Sequence, residues 1–305
     1  MEWDPEFDVD ENLARALISG QFPQLGGASI ARFGAGMDNV AYLVAERYVF
    51  RFPRRSIVAP LLEREERILP LIAKRVPLPV PFPRFIGKPD LGYPWTFAGY
   101  ERLRGTGACS VTLTMSDREA MAAPLGEFLR ALHGIDPQAG IDAGLPGDEL
   151  GRLHHARRYP LAQQRFGELE AAGLLDDSRP FLAFLASHPP SEPREAQRIV
   201  HGDLYARHLL VNRERRLAGI IDWGDVHLGD PALDMMAAFS MLPSSAYGTF
   251  KAAYGGVDDE TWMLAKYRAV YHGSLVAHFG MRINDAALRD AGLAGLRLIG
   301  ETLER

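Results

Sequence analysis

Apolar and polar positions change period along this chain. In the first third the period is two. Residues 28–33 and 40–45 read as short strands around Gly34-Ala35-Gly36-Met37-Asp38-Asn39. Tyr48-Val49-Phe50-Arg51-Phe52 reads as a third strand, its alternation placing Arg51 on the face opposite Phe50 and Phe52. Pro53 ends it. Over about 59–75 the period lengthens, and Leu61, Glu65, Ile68 and Ile72 share one face of a predicted helix. Pro70 is expected to kink or interrupt that helix. Pro77, Pro79, Pro81 and Pro83 predict an extended connection, and Thr96-Phe97-Ala98-Gly99-Tyr100 predicts a further strand.

Past residues 100–105 the texture turns helical. Ser116 with Glu119 three positions on is a capping-box signal. The helix behind it carries Leu125, Phe128, Leu129 and Leu132 on one stripe. Asp230-Pro231 predicts another helix start, with Asp as N-cap and Pro at the first position. Two more helices are expected over about 258–279 and 285–304. The pattern predicts an α+β chain with a β-rich part, residues 1–103, and an α-rich part, residues 104–305. A cleft between two such parts is a natural ligand site.

Composition narrows the picture. The chain has 305 residues, 47% of them apolar and 24% charged, enough for a sizeable core. The net charge of −5 argues against nucleic acid, which calls for a basic surface. It is compatible with cationic substrates. One cysteine, Cys109, permits no intrachain disulfide and suits a cytoplasmic setting. The acidic start has no signal-peptide pattern, and no apolar run approaches the roughly 20 residues of a membrane span. A soluble monomer or homodimer acting on a small molecule is the natural expectation.

Two polar breaks beside apolar runs carry the chemistry. The first is Val200-His201-Gly202-Asp203-Leu204-Tyr205-Ala206-Arg207-His208-Leu209-Leu210-Val211, the second Ile220-Ile221-Asp222-Trp223-Gly224-Asp225. The pair fits phosphoryl transfer, in which one carboxylate orients the attacking hydroxyl and another holds Mg²⁺ on the nucleotide. Asp203 is the candidate for the first role, Asp222 for the second. A capping or turn Asp is the competing reading of each. His208 is a candidate second metal ligand or a residue that shapes the loop, imidazole being a poorer match for Mg²⁺ than oxygen. His201 is expected to brace the loop. Arg51 is a candidate contact for the nucleotide phosphates, held by a bidentate pairing with Glu65 or Glu66. Gly34-Ala35-Gly36 admits both a phosphate-approaching loop and a plain hairpin turn, and is no Walker loop. The spacings of His154, His155, His201 and His208 match no standard zinc set. No Gly-x-Ser-x-Gly elbow marks a hydrolase.

Taken together these residues resemble the aminoglycoside phosphotransferase family, most nearly its macrolide and 2″-aminoglycoside branches. That family has a catalytic segment H-x-D-x-x-x-x-N and a following I-D motif. His201-Gly202-Asp203-Leu204 and Ile221-Asp222-Trp223-Gly224-Asp225 match them, and Gly229-Asp230-Pro231 with Asp234 is similar to its G-D-P-x-x-D continuation. The Gly34 to Asn39 segment, Val49 to Arg54 and Arg64-Glu65 are similar to its first lobe. The resemblance implies a two-lobed protein-kinase-like fold, with a small antiparallel β-sheet N-lobe and a larger, mainly helical C-lobe. It implies transfer of the γ-phosphoryl of ATP or GTP to a substrate hydroxyl, with Mg²⁺ as cofactor. By it Asp203 is the catalytic base and Asp222, with His208, holds the metal. Gly34, Gly36, Arg51, Glu65, Ile221 and the hinge from Tyr100 to Leu103 meet the nucleotide. His208 stands where most members carry Asn, and Arg51 where many kinases carry Lys.

An aminoglycoside or macrolide is the first substrate expected, with Asp230, Asp234 and Glu260 available to an amino sugar. A metabolic alcohol of choline or homoserine type is the alternative, and a non-catalytic nucleotide-binding module a further one. A protein kinase is disfavoured. No Ala-Pro-Glu follows Asp222, and Asp230 comes only eight positions later, leaving little room for an activation loop.

Overall fold

The computed structural model describes residues 5–36, 38–190 and 197–303. Residues 1–4 and Met37, which entered the readings of the N-terminus and of the first turn, lie outside the described residues. The chain divides into two compact units. One holds residues 1–74 and 79–103, the other residues 75–78 and 104–305.

The first unit opens with helix α1 (Glu11–Gln21), whose N-cap Asp10 accepts a hydrogen bond from the Leu13 amide at 2.8 Å. Strands β1 (Ile30–Ala35), β2 (Asn39–Val44) and β3 (Tyr48–Pro53) follow as an antiparallel meander. Then come α2 (Ala59–Ile72), β4 (Pro83–Gly87) and β5 (Phe97–Glu101). The strands form one sheet in the order β1-β2-β3-β5-β4, antiparallel throughout. The alternation in β3 is as predicted: Phe50 and Phe52 are buried and Arg51 lies half-buried between them. Phe50, Phe52, Tyr93 and Phe97 build an aromatic core with Val40, Tyr42 and Val44. Phe52 and Phe97 stack with ring centroids 4.6 Å apart, and the Phe50 ring lies so flat on β5 that a Cβ at Gly99 would sit 2.6 Å from it.

Two sequence expectations are corrected in this unit. Pro70 does not interrupt α2, which runs on through it to Ile72. It costs one backbone hydrogen bond near the helix end, while Ile68, Leu69 and Ile72 around it are fully buried. The proline-rich connection also contains an unpredicted strand. Pro83 opens β4, an edge strand, where a missing N–H does the ladder no harm.

The second unit is mainly helical. In chain order it contains β6 (Thr106–Gly107), α3 (Met115–Glu119), α4 (Ala122–His133), α5 (Pro137–Asp142), α6 (His155–Ala171) and α7 (Arg179–Ser187). These are followed by β7 (Arg198–Val200), β8 (Leu209–Val211), β9 (Leu217–Ile220), β10 (His227–Gly229), α8 (Ala232–Met241), α9 (Tyr247–Tyr254), α10 (Asp259–Arg282) and α11 (Ala286–Gly300). The strands pair into a small sheet β6-β8-β9 and a ribbon β10-β7. The stripe Leu125, Phe128, Leu129 and Leu132 is buried on α4. The capping box lies two residues before the predicted one. Thr114 is the N-cap and Asp117 its reciprocal partner, so Ser116 is already inside α3. Helix α8 starts there as expected, but its N-cap is Pro231; Asp230 stands one position before it, its Oδ1 accepting from the Ala232 amide at 2.8 Å.

Candidate active site

The segment between β7 and β8 has no regular hydrogen-bond ladder, so its shape depends on side chains. Gly202 has φ +82°, and a Cβ there would stand 2.6 Å from the Asp225 carbonyl oxygen. Asp234, on the first turn of α8 and fully buried, accepts from the His201 amide at 2.7 Å and the Gly202 amide at 2.8 Å. It also accepts from His133 Nε2 at 3.1 Å, whose Nδ1 lies 3.0 Å from the Tyr254 hydroxyl. Burial opposes ionisation of Asp234, but these bonds and the neighbouring imidazoles hold its carboxyl below the ordinary carboxylate range. Asp234 is therefore a brace for the loop and cannot reach an amino sugar, contrary to the expectation from sequence. His201 braces the loop as expected. Its Nδ1 accepts from the Asp203 amide at 3.3 Å and its Nε2 donates to the Ile221 carbonyl at 3.0 Å, burial keeping the ring neutral.

This bracing brings Asp203, His208 and Asp222 together. His208 Nδ1 donates to the Asp203 carbonyl oxygen at 2.8 Å and lies 3.8 Å from Asp203 Oδ2. His208 Nε2 is 3.4 Å from Asp222 Oδ2. The two carboxylates thus flank one imidazole. Asp222 follows the buried end of β9, and its φ of +64° turns it out of the strand, leaving its side chain about half exposed. A non-glycine residue there is strained, a common mark of working sites. Ile221 is half-buried, its amide donating to the His208 carbonyl at 2.9 Å.

Two partners of Asp203 were not legible in the sequence. His272 Nε2, on α10, donates to Asp203 Oδ1 at 2.9 Å. Arg268, one turn earlier on α10, is buried and close enough to add positive charge. Burial by itself would raise the Asp203 carboxyl. The His272 bond and the positive field of His272, His208 and Arg268 overcome it and hold the group well below the ordinary range. Asp225 is shifted the other way, by burial and by the negative charges of Asp203 and Asp222. Arg152 anchors Asp225 through one guanidinium nitrogen and Asp148 through the other, the latter at 2.7 Å. His272 and Arg268 lie 69 and 65 positions beyond Asp203. Their only sequence signal is a charged pair at i, i+4 on the otherwise apolar face of a long helix.

Within the first unit, Arg51 Nη1 donates to Glu65 Oε2 at 2.9 Å and to Oε1 at 3.2 Å. Glu65, not Glu66, is the partner, and Arg51 Nη1 reaches both of its oxygens. Glu65 is 1% exposed, and the Tyr100 hydroxyl points to its Oε2 from 3.5 Å. Gly34 sits beside a bulge in β1, and the Gly36 amide donates to the Asn39 carbonyl at 2.9 Å. Among the described residues a Cβ at Gly34 would meet no atom within 4 Å, so their packing does not require glycine there. Leu103 is half-buried at the end of this unit.

The donor set at Asp222 and His208 suits a hard cation bound at two points. His208 Nε2 and Asp222 Oδ2 face one another at 3.4 Å as one nitrogen and one oxygen donor. Mg²⁺ keeps several waters and takes few protein ligands, so two suffice with phosphate oxygens. A separate groove of about 800 Å³ opens in the second unit, lined by Asp148, Asp230 and Glu260 together with His154, His155 and Leu233.

Fold and site together define a protein of α+β architecture, with an antiparallel N-terminal sheet and a helical remainder that centres on paired carboxylates. A model of the phosphotransferase enzyme family matches residues 29–269, most of the chain. The chain belongs to that family. Among solved structures, the GDP complex of wild-type aminoglycoside 2'-phosphotransferase-IIIa superposes with a TM-score of 0.69 at 27% identity, over 96% of this chain and 99% of that one. A macrolide 2'-phosphotransferase from Brachybacterium faecium shares the fold, with a TM-score of 0.60 at 22% identity over 94% and 98% of the two chains. Viomycin phosphotransferase of Streptomyces vinaceus is 30% identical over 34% of this chain and 38% of its own. A Bacillus subtilis protein called YcbJ is 25% identical over 62% of this chain and 61% of its own length. The chain thus matches less than two thirds of the length of either curated relative. Among the described residues no helix is long and apolar enough to cross a membrane.

Proposed function

We propose that this chain transfers the γ-phosphoryl group of ATP or GTP to a hydroxyl of a small molecule. The observation that carries this is Asp203 and Asp222 on either side of the His208 imidazole, at 3.8 and 3.4 Å. Asp203 holds the acceptor hydroxyl in line with the phosphorus. A carboxylate kept so far below its ordinary pKa is a weak proton acceptor, so its contribution is orientation and charge more than early deprotonation. Asp222 and His208 would hold Mg²⁺, which when bound neutralises charge on the transferring phosphoryl group. Residues 1–103 serve as the nucleotide-binding lobe through Gly34, Gly36, the Arg51–Glu65 pair and the Tyr100–Leu103 backbone; residues 104–305 serve as the catalytic and substrate-binding lobe, in which Ile221 is a nucleotide-contact candidate. Solved GDP complexes of related phosphotransferases support a nucleotide co-substrate.

Aminoglycosides and macrolides are the first acceptors to try, since similar proteins bear those names and the groove carries the Asp148, Asp230 and Glu260 carboxylates. An antibiotic-resistance role and a cytoplasmic, monomeric or dimeric protein follow from that reading. A metabolic alcohol is the second reading, and positive charge beside Asp203 favours one with a carboxylate, such as homoserine, over choline. The test is a mass-spectrometric assay for one added phosphoryl group, with MgATP or MgGTP and kanamycin, erythromycin, choline or homoserine, alongside acceptor-independent nucleotide turnover. Asp203→Asn should lower transfer about 10²- to 10⁴-fold while leaving nucleotide binding intact. Transfer at the parent rate in that variant, or no Mg²⁺-dependent turnover by the parent, would overturn the proposal.

A further inference from the structure

Helices α6 and α10 gather three guanidinium groups on one ring. Arg165 Nη1 lies 2.7 Å and Arg158 Nη1 3.4 Å from the Tyr271 hydroxyl oxygen. The Cζ atoms of Arg158, Arg165 and Arg268 stand 5.7, 5.1 and 5.5 Å from the Tyr271 ring centroid. Among the described residues none of the three makes an ion pair. Arg158 is otherwise tied to the Gly151 carbonyl at 2.9 Å and to the Leu150 carbonyl. Arg268 is 4% exposed, and its Nε is buried with no hydrogen-bond partner. The carboxylates of α6 are spent elsewhere: Glu168 on His278 at 2.7 Å, Glu170 on the Ser178 amide at 2.6 Å.

One aromatic ring does not balance three like charges. A cation–π contact is worth about 0.5–2 kcal/mol, whereas an incompletely paired, buried charge costs several kcal/mol. The Tyr271 hydroxyl registers the excess: burial would raise its pKa, yet the Arg165 and Arg158 bonds and charges carry it below the ordinary value. Guanidinium forks match the oxygens of a carboxylate or phosphate. Arg158 and Arg165 are only half-buried, so an anion can reach them from solvent. The cluster also adjoins the reacting position: Arg268 and Tyr271 lie on α10 within about one turn of His272, which holds Asp203 Oδ1 at 2.9 Å.

We propose that Arg158, Arg165 and Arg268 form an anion subsite beside Asp203, which takes a carboxylate or phosphate group on the hydroxyl acceptor. This rests on the phosphotransferase reading above and refines it, favouring hydroxylated acids over polycations at this point. The test is an NMR titration of the full ¹⁵N-labelled chain without nucleotide, following the arginine Nε–Hε signals as acetate or methyl phosphate is added. The Arg268 signal, assigned by its loss in Arg268→Lys, should move saturably with at least one of them, and the arms decide between carboxylate and phosphate. Arg158→Gln with Arg165→Gln should weaken that binding at least tenfold. An Arg268 signal unmoved by either anion overturns the subsite, and the parent titration suffices for this even where a variant does not fold. Undiminished binding in the double variant overturns it as well. No nucleotide is present, so failure here leaves the Asp203-dependent transfer assay to stand or fall separately.

Discussion

Glu66 shows how a single side chain couples to its surroundings. It stands beside Glu65 on α2 with Oε1 buried and unpartnered, and burial together with Glu63 and Glu65 pushes its carboxyl up to about 7. An acid with a raised folded-state pKa stabilises the fold fully below its unfolded value of about 4.5. That contribution fades as pH climbs from there to about 7. Glu66→Gln should therefore match the parent near pH 4 and be more stable above pH 7, by on the order of 2 kcal/mol, as read from unfolding curves across that range. Asp234 is the opposite case. Its carboxylate receives two backbone amides and an imidazole with no access to water. Asp234→Ala leaves those donors stranded, and chemical denaturation should show a loss of about 3 kcal/mol or more. A variant as stable as the parent would mean that the loop is held by other contacts. From sequence Asp234 belongs to a G-D-P-x-x-D motif and invites a substrate role. Only its burial shows that it acts on the loop.

At the scale of elements, the clearest prediction concerns α10 and α11. An added Cβ at Gly292 would sit 2.4 Å from the Ala277 amide nitrogen, so these helices touch backbone to backbone. Gly292→Val must push them apart and should cost about 2 kcal/mol or more in denaturant unfolding. Legibility varied with the physical signal. The alternation in β3, the leucine stripe of α4 and the long helices near the C-terminus were plain, because burial of one face imposes a period on the sequence. Strand β4 was hidden by prolines, which forbid an interior strand but permit an edge. The cap of α3 was displaced because Thr114–Asp117 and Ser116–Glu119 offer the same chemistry, and only backbone geometry chooses between them. Pro70 was overridden by the burial of its neighbours.

At the scale of the whole molecule, nucleotide and metal should act as ligands of the folded state alone. MgATP or MgGTP at about a hundredfold excess over its dissociation constant should add about 2.7 kcal/mol of stability. Asp222→Asn should remove the Mg²⁺-dependent part of the accompanying rise in Tm and spare the part seen with nucleotide and EDTA. A Tm rise that keeps its full Mg²⁺ dependence in Asp222→Asn would remove that residue from the metal. The family and the α+β class were written in local patterns: two polar breaks against apolar runs, and a period that shifts from two to nearly four. Such signals are short-range, so the order of residues determined them by itself. The surroundings of Asp203 were not of that kind. Its bond to His272, its proximity to Arg268 and the gathering of arginines on Tyr271 join positions many residues apart, and only the packing of α6 and α10 in the folded unit decided them.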